Sequence, residues 1–203
     1  MNYLFDPENR FWSFMNKIMD VFFIGILWFV FSLPVVTAGA ALTALYQFTL
    51  KQADDEEGYV WRSFRRAFVK NFRQSTVLWL ILLAAWAFLA ADICACLHME
   101  LPGMWRTLCF GVLVCLGALL LLTSLYIFPL VSRYDRPVPI ILKHSFIMAV
   151  GNLHVSVTVL VVYIAAAALT WFIPLLFPVF AALGAFVSSY LFRHVFSRYW
   201  QDQ

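Results

Sequence analysis

Few ionisable side chains lie inside the apolar stretches of this chain, and one that stands out is Asp20. Asn16 lies four residues earlier on the same helix face, and Lys17 lies three residues earlier. A carboxylate in an apolar surrounding is costly, so it indicates a proton relay, a solute site or a polar contact between helices. If the chain turns back after this stretch, Thr43 and Gln47 reach a similar depth. The predicted cluster is a polar clamp between two helices, with a proton or solute site as the alternative.

A second candidate is Asp92, with His98 and Glu100 shortly after it. This group could bind a cation or respond to pH, but a hydrated helix end also explains it and is the favoured interpretation. The chain contains no phosphate-binding glycine loop, no HExxH pair and no nucleophile elbow, so we expect no enzyme, no catalytic residue and no cofactor. The cysteine spacing fits neither a zinc site nor a redox pair, so no metal is expected at Cys94, Cys96, Cys109 and Cys115.

The elements that carry these residues are hydrophobic helices. Of the 203 residues, 64% are hydrophobic and 12% are charged, which leaves too little polar surface for a soluble globule. Backbone amides in lipid need internal partners, so long apolar runs there must be helical. The predicted fold is all-α, a single polytopic membrane helical bundle over residues 1–203, with five to six hydrophobic helices plus one or two amphipathic interfacial helices. The apolar runs are residues 13–33, 35–50, 75–97, 107–131, 153–173 and 175–192.

The role of Pro34 separates a five-span from a six-span topology. One helix over residues 16–50 would be about 50 Å long, well beyond a bilayer core of about 30 Å, and proline disfavours helical geometry in the residue before it. If the chain reverses at Pro34, 13 of the 14 basic residues lie on one side and only Arg106 lies on the other. This asymmetry favours six spans with both termini cytoplasmic. Since residues 35–50 are short for a crossing, a partial or re-entrant segment is the alternative.

Residues 51–74 are predicted to form a cytosolic loop with an amphipathic helix. Aromatic residues recur there every three or four positions from Trp61 to Phe72, and the residues between them are largely basic. Such a helix lies in the headgroup layer with its cations toward anionic lipid. The excess of basic residues on the cytoplasmic side of membrane proteins already explains these cations, so no nucleic-acid partner is expected. The predicted lipid-interface basic residues are Arg62, Arg65, Arg66, Lys70 and Arg73. A second, milder segment of this kind covers residues 140–151.

Two short internal similarities suggest a duplication. Residues 71–75 and 152–156 share an Asn-x-x-x-Ser pattern, and each precedes or begins an apolar run. Residues 34–48 and 178–192 each begin with Pro-Val and end with Tyr-x-Phe. Internal repeats are common in transporters, but apolar bias alone also produces matches this short. Duplication and chance therefore both remain open at this point.

Residues 33–46 and the basic stretch that ends at residues 68–75 resemble the YesL-like family of bacterial membrane proteins. The distinctive positions lie between about residues 10 and 80: Pro34, Thr37, Gly39, Ala44, Tyr46, Phe68 and Asn71. The resemblance implies a multi-pass protein of the bacterial cytoplasmic membrane, frequently encoded near carbohydrate uptake and sugar-responsive regulatory systems. It implies no established activity, so no catalytic residue is transferred.

Small and polar residues on the second run form a predicted packing seam, with a ligand-binding face as the alternative. Gly39, Thr43 and Gln47 are spaced four apart, with Ala44 beside them, so helix backbones can approach closely along this stripe. Two functions fit the chain. The first is a non-catalytic accessory or regulatory subunit that docks a membrane partner such as a sugar permease or sensor. The second is a small-solute, sugar-related transporter, which the proline breaks favour and the scarcity of intramembrane ionisable groups disfavours.

Overall fold

The computed structural model of the chain describes residues 10–54, 56, 58–98 and 103–200. Every regular element in these residues is a helix, and five helices are long and apolar enough to cross a membrane. The predicted all-α bundle is confirmed, and the chain is a multi-pass membrane protein. The helices are α1 (Arg10–Ser32), α2 (Ala38–Ala53), α3 (Val60–His98), α4 (Gly103–Arg133), α5 (Val138–Gly151), α6 (Leu153–Phe172) and α7 (Phe177–Trp200).

The chain reverses direction at Pro34, as the sequence predicts. Pro34 has an extended backbone (φ −74°, ψ 112°), and a single 3₁₀ turn over Val35–Thr37 leads into α2. The hydroxyl of Thr37 donates to the carbonyl oxygens of Phe31 at 2.6 Å and Pro34 at 2.8 Å. The bond to Phe31 satisfies a carbonyl group that the end of α1 leaves without a helical partner. The two helices then pack against each other as a hairpin.

The short helix α2 forms the centre of the bundle. It has 16 residues, about 24 Å, and 12 of the 16 are buried. It packs against α1, α3, α4 and α7. The five to six predicted hydrophobic helices therefore correspond to five long helices and one short helix enclosed among them. Protein neighbours rather than lipid surround most of α2, so its length need not match the bilayer.

The predicted separate amphipathic helix within residues 51–74 was wrong in its boundaries. Residues 51–53 end α2, and α3 continues unbroken through 39 residues, about 58 Å. The chain has no glycine or proline between positions 59 and 98, so nothing interrupts the helix. One buried stripe runs along it: Phe64, Ala67, Asn71, Ser75, Leu78, Leu82, Leu89 and Cys96. The second predicted segment forms the separate helix α5, which ends at Gly151 with Asn152 as its C-cap residue.

Several helix ends meet at Asp54, directly after α2. Its carboxylate lies 2.9 Å from the Arg133 guanidinium at the end of α4 and 3.5 Å from that of Arg193 in α7. Two residues earlier, Gln52 donates to Asp20 of α1 at 3.4 Å. The amino-terminal half of α1 and the carboxyl ends of α2, α4 and α7 therefore lie at one end of the bundle, hereafter the Asp54 end.

Candidate functional site

Hydrogen bonds join α2 to α3 along the predicted seam. The hydroxyls of Thr43 and Ser75 lie 2.8 Å apart, and the amide of Asn71 donates to Gln47 Oε1 at 3.1 Å. The two contacts are one helical turn apart on each helix, so they lie along a single line of contact. Asn71 also donates to the carbonyl of Ala67 in its own helix. Both bonds stay inside the protein, where lipid offers no alternative partner.

The close approach of α2 and α3 depends on Gly39. A Cβ atom there would lie 2.6 Å from the Cβ of Trp79 and 2.8 Å from the carbonyl oxygen of Ser75. Just beyond this contact, the Trp79 indole donates to the carbonyl of Val35 at 2.8 Å. Ala44, one turn further along α2, is completely buried. Gly39, one of the positions that carry the family resemblance, thus lies where the backbones of α2 and α3 come close together.

Other polar side chains of α2 bind the remaining neighbours. Ser189 of α7 donates to the hydroxyl of Thr49 at 2.8 Å. The hydroxyl of Tyr46 forms a hydrogen bond with that of Tyr163 in α6. Together with the seam to α3 and the Gln52 contact to α1, these bonds link α2 to four different helices. The helix therefore acts as a central scaffold whose polar groups are used between helices.

The four residues of the predicted polar cluster do not meet at one place. Thr43 and Gln47 face α3, whereas the α2 partner of Asp20 is Gln52. Positions 47 and 52 are about 140° apart around a helix, so they face different neighbours. Asn16 is exposed. The contact between α1 and α2 therefore fits the predicted clamp, but with a different residue on α2.

An aromatic cluster that the sequence analysis missed lies at the centre of the bundle. The ring centroid of Phe192 in α7 lies 5.0 Å from that of Tyr126 in α4 and 6.0 Å from that of Tyr46 in α2. The hydroxyl of Tyr126 lies 3.0 Å from the Ser156 hydroxyl. A signal was present, because the Tyr-x-Phe pattern noted at 46–48 and 190–192 also occurs at 126–128. These repeated positions bring α2, α4 and α7 together.

A longer pattern shared around Tyr46 and Tyr126 favours the predicted duplication over chance. Residues 43–50 and 123–130 share the pattern Thr-x-Leu-Tyr-x-Phe-x-Leu, and each leads, about 20 residues later, to an Asn-x-x-x-Ser pattern. In each half, the serine of the second pattern forms a hydrogen bond with the helix that carries the first. In each half, the asparagine also donates to the carbonyl four residues before it. The serines bond to different positions of the first pattern, Thr43 and Tyr126, so the internal repeat stays a prediction.

Asp92 lies away from these contacts. It lines a shallow, largely apolar groove of about 380 Å³ between α3 and α4, together with Cys96 and Cys109. His98 forms a hydrogen bond with the carbonyl of Cys94 in its own helix, at 2.8 Å. In the described part of the chain, no three histidine, cysteine or acidic side chains are grouped so that they could hold a metal ion.

The five predicted lipid-interface cations have different surroundings. Arg62 and Arg66 line a cavity of about 260 Å³ between the end of α2 and the start of α3. Lys70 forms an ion pair with Asp135 in the loop after α4, at 2.7 Å. Arg65 and Arg73 are exposed. Arg62, Arg66 and Lys70 are exposed as well, so their contacts do not remove them from the surface.

Tyr134 covers the Asp54 end from the loop after α4. Its ring packs edge-on against Phe196 of α7, with the centroids 5.9 Å apart. Burial raises the pKa of Tyr134 above its ordinary value of 10.0, and the neighbouring Arg133 acts in the opposite direction. The hydroxyl therefore stays neutral at physiological pH and adds no charge to the ion pairs beside it.

The Thr43–Ser75 bond should give a measurable coupling between α2 and α3. We expect a double-mutant cycle of Thr43→Val and Ser75→Ala to show a coupling of about 0.6 kcal/mol, the average for hydrogen bonds between membrane helices. Reversible unfolding in mixed micelles measures the four stabilities. As a control, Thr158→Val removes a hydroxyl that bonds only within its own helix. Its effect should add to that of Ser75→Ala, and a similar coupling in both cycles would contradict the prediction.

Replacing Asp54 with asparagine should loosen the helix ends that meet there. The change removes the charge that pairs with Arg133 and Arg193, and partly exposed pairs of this kind contribute about 1 kcal/mol or less each. We expect a loss of about 1 kcal/mol in low salt that shrinks in high salt, because salt screens the wild-type pairs. The matched control is Asp135→Asn. It removes a single ion pair, which is more exposed than those of Asp54, so it should cost less stability. Equal losses, or no dependence on salt, would contradict this interpretation.

The part of this chain that matches known proteins includes the seam between α2 and α3. Residues 21–93 match a family described as "Protein of unknown function, DUF624", a range that includes all of α2 and most of α1 and α3. The chain is 29% identical over 140 residues to "Uncharacterized protein YesL" of Bacillus subtilis (strain 168), which covers 67% of this chain. The match spans 65% of that relative, just under two thirds of its length. No solved structure gives a significant match. Both matches confirm the predicted resemblance to the YesL-like family.

Proposed function

We propose that this chain is a non-catalytic accessory or regulatory subunit of the bacterial cytoplasmic membrane, linked to carbohydrate uptake or sensing. The observation that carries the proposal is the use of polar side chains in α2. Thr43, Gln47, Thr49 and Gln52 all form hydrogen bonds with neighbouring helices. A carrier needs such groups for its solute at the centre of the membrane. The link to carbohydrates rests on the family resemblance alone.

The charge distribution supports cytoplasmic termini. Basic side chains at the Asp54 end include Lys70, Arg133 and Arg193, which reach the loops between helices. Cytoplasmic loops carry an excess of lysine and arginine, so the Asp54 end faces the cytoplasm in this proposal. The amino-terminal half of α1 and the carboxyl end of α7 lie at that end. A reporter fused to either terminus should therefore be active only in the cytoplasm.

The surface proposed for partner docking is the first part of α4. The buried residues of α4 are confined to Tyr126–Val131, near the end of the helix. No residue in the most apolar 18-residue stretch of α4 is buried. Lipid covers such a surface by default, and a membrane helix of a partner can replace that lipid when small residues allow close approach. Gly111 lies on this surface with no other atoms near its missing side chain. The proposed partner is a membrane protein such as a sugar permease or sensor.

The docking proposal is tested by capture in native lipid. We expect the wild-type chain to retain a sugar permease or sensor, and Gly111→Trp to lose it while the bundle stays folded. Val161→Trp is the matched control, because Val161 of α6 is also exposed and is proposed to face only lipid. Equal capture by wild type and Gly111→Trp would overturn the proposed docking surface.

A flux assay distinguishes the subunit from the transporter. Purified protein in liposomes should move labelled sugar no faster than protein-free liposomes. Flux above that control, abolished by Asp20→Asn and Gln47→Leu, would overturn the accessory role and establish the transporter. In a docking subunit, these two substitutions only weaken contacts of α2 with α1 and α3.

A further inference from the structure

The cavity at the start of α3 has the composition of an anion site. It encloses about 260 Å³ between the last turns of α2 and the first turns of α3. Three cationic side chains line it, Lys51 from α2 and Arg62 and Arg66 from α3. None of the described lining residues is acidic. A cavity with three positive charges around it favours a ligand that carries negative charge.

Neutral donors complete the wall. Gln47 accepts a hydrogen bond from Asn71 with its Oε1, so its Nε2 is the atom that can donate to a ligand. The hydroxyls of Tyr59 and Ser63 lie on the same wall. The first amide groups of α3 have no partners within the helix, and the positive end of its dipole favours an anion. These donors approach the cavity from several directions, which suits the oxygens of a tetrahedral group.

The two arginines of the cavity, Arg62 and Arg66, form no ion pair with a described carboxylate. Arg62 and Arg66 lie four residues apart on one face of α3, where like charges repel. The guanidinium of Arg62 stacks over the Tyr59 ring, 5.9 Å from its centroid. Among the described carboxylates, only Glu56 approaches the site, 3.9 Å from the Lys51 amine at the exposed rim. An anion between the two arginines relieves their repulsion and can accept paired hydrogen bonds from either guanidinium.

We propose that this pocket binds a phosphate group, carried either by an anionic lipid headgroup or by a soluble phosphorylated compound. Both sources present the same tetrahedral oxygens to the same three cations. The position at the Asp54 end gives access from water and from the headgroup layer. This inference does not depend on the accessory role, because it requires no partner protein. It differs from diffuse attraction to lipid, in which every exposed cation of α3 contributes alike.

The test compares two double variants with the same change in charge. Arg62→Gln with Arg66→Gln removes two pocket cations, and Arg65→Gln with Arg73→Gln removes two exposed cations of the same helix outside the pocket. Full-length protein in uncharged detergent is titrated calorimetrically with inorganic phosphate, and separately with micelles of phosphatidylglycerol or phosphatidylcholine. We expect saturable binding of an anionic probe that weakens by about tenfold or more in the pocket variant and by less than about twofold in the control.

The two probes identify the source of the phosphate. Phosphatidylglycerol binding that inorganic phosphate does not displace indicates a lipid headgroup, whereas phosphate binding without a preference for phosphatidylglycerol indicates a soluble ligand. Gly58→Leu is a second variant, and it keeps all the cations. A Cβ at position 58 would lie 3.1 Å from Ser63 Oγ, so a leucine side chain has little room there. It should reduce binding by narrowing the pocket. Absence of saturable binding, or equal losses in both double variants, would overturn the proposal.

Discussion

Gly39→Ala is expected to destabilise the bundle by about 2 kcal/mol, even though alanine is the better helix former. The added Cβ would lie 2.6 Å from Trp79 Cβ and 2.8 Å from the Ser75 carbonyl, and neither atom belongs to the flexible end of a side chain. Forcing the two helices apart costs about 3 kcal/mol, against which the helix preference of alanine returns about 1 kcal/mol. Unfolding in mixed micelles measures the difference.

The control for this prediction is a glycine with free space around it. A methyl group at Gly111 of α4 would meet no described atom within 4 Å beyond its own helix backbone. Gly111→Ala should therefore leave stability unchanged or raise it by up to about 1 kcal/mol. If the two substitutions have the same effect, the close contact between α2 and α3 does not limit stability. A Gly39→Ala protein as stable as wild type would likewise contradict the tight seam.

Phe192→Ala is expected to cost about 3 kcal/mol, because it opens a cavity where α2, α4 and α7 meet. Phe192 is completely buried, and its ring contacts those of Tyr46, Tyr126 and Phe196. Lipid tails are as apolar as a protein core, so the loss comes from packing rather than from transfer into water. Phe192→Leu, which fills part of the space, should cost less than Phe192→Ala.

The matched control is a phenylalanine at the surface of the bundle. Phe88 of α3 is 71% exposed, so Phe88→Ala removes few protein contacts and should change stability by less than about 0.5 kcal/mol. Both proteins lose the same ring, and only its position differs. Equal losses in the two variants would show that the aromatic cluster does not hold the three helices together.

Local sequence features predicted the elements of this fold well where they act along the chain. The apolar runs became helices because lipid leaves the backbone no other way to satisfy its hydrogen bonds. Pro34 ended α1 and reversed the chain, since its geometry acts on the residues beside it. The amphipathic pattern from residue 60 onward was also helical. Its junction with the next apolar run was missed, because a change of composition does not break a helix that lacks glycine and proline.

Contacts between helices were harder to predict from the sequence. The spacing of Gly39, Thr43 and Gln47 correctly indicated one face of α2, but it did not say which helix would cover that face. The sequence predicted that Asp20 lies at the same depth as Gln47, whereas the structure pairs Asp20 with Gln52. Tyr126 was overlooked as a central residue although it repeats the Tyr-x-Phe pattern, because that pattern does not show that Phe192 and Ser156 lie beside it.

By itself, the sequence determined that this protein is a helical membrane bundle that reverses at Pro34, because hydropathy and proline geometry act over one turn or one helix. Only the tertiary structure decided which helix each face of α2 meets. Only the tertiary structure showed that Lys51, Arg62 and Arg66 enclose one pocket. Residues on different helices become neighbours through the crossing angles of the whole bundle, and those angles depend on all the packed side chains together.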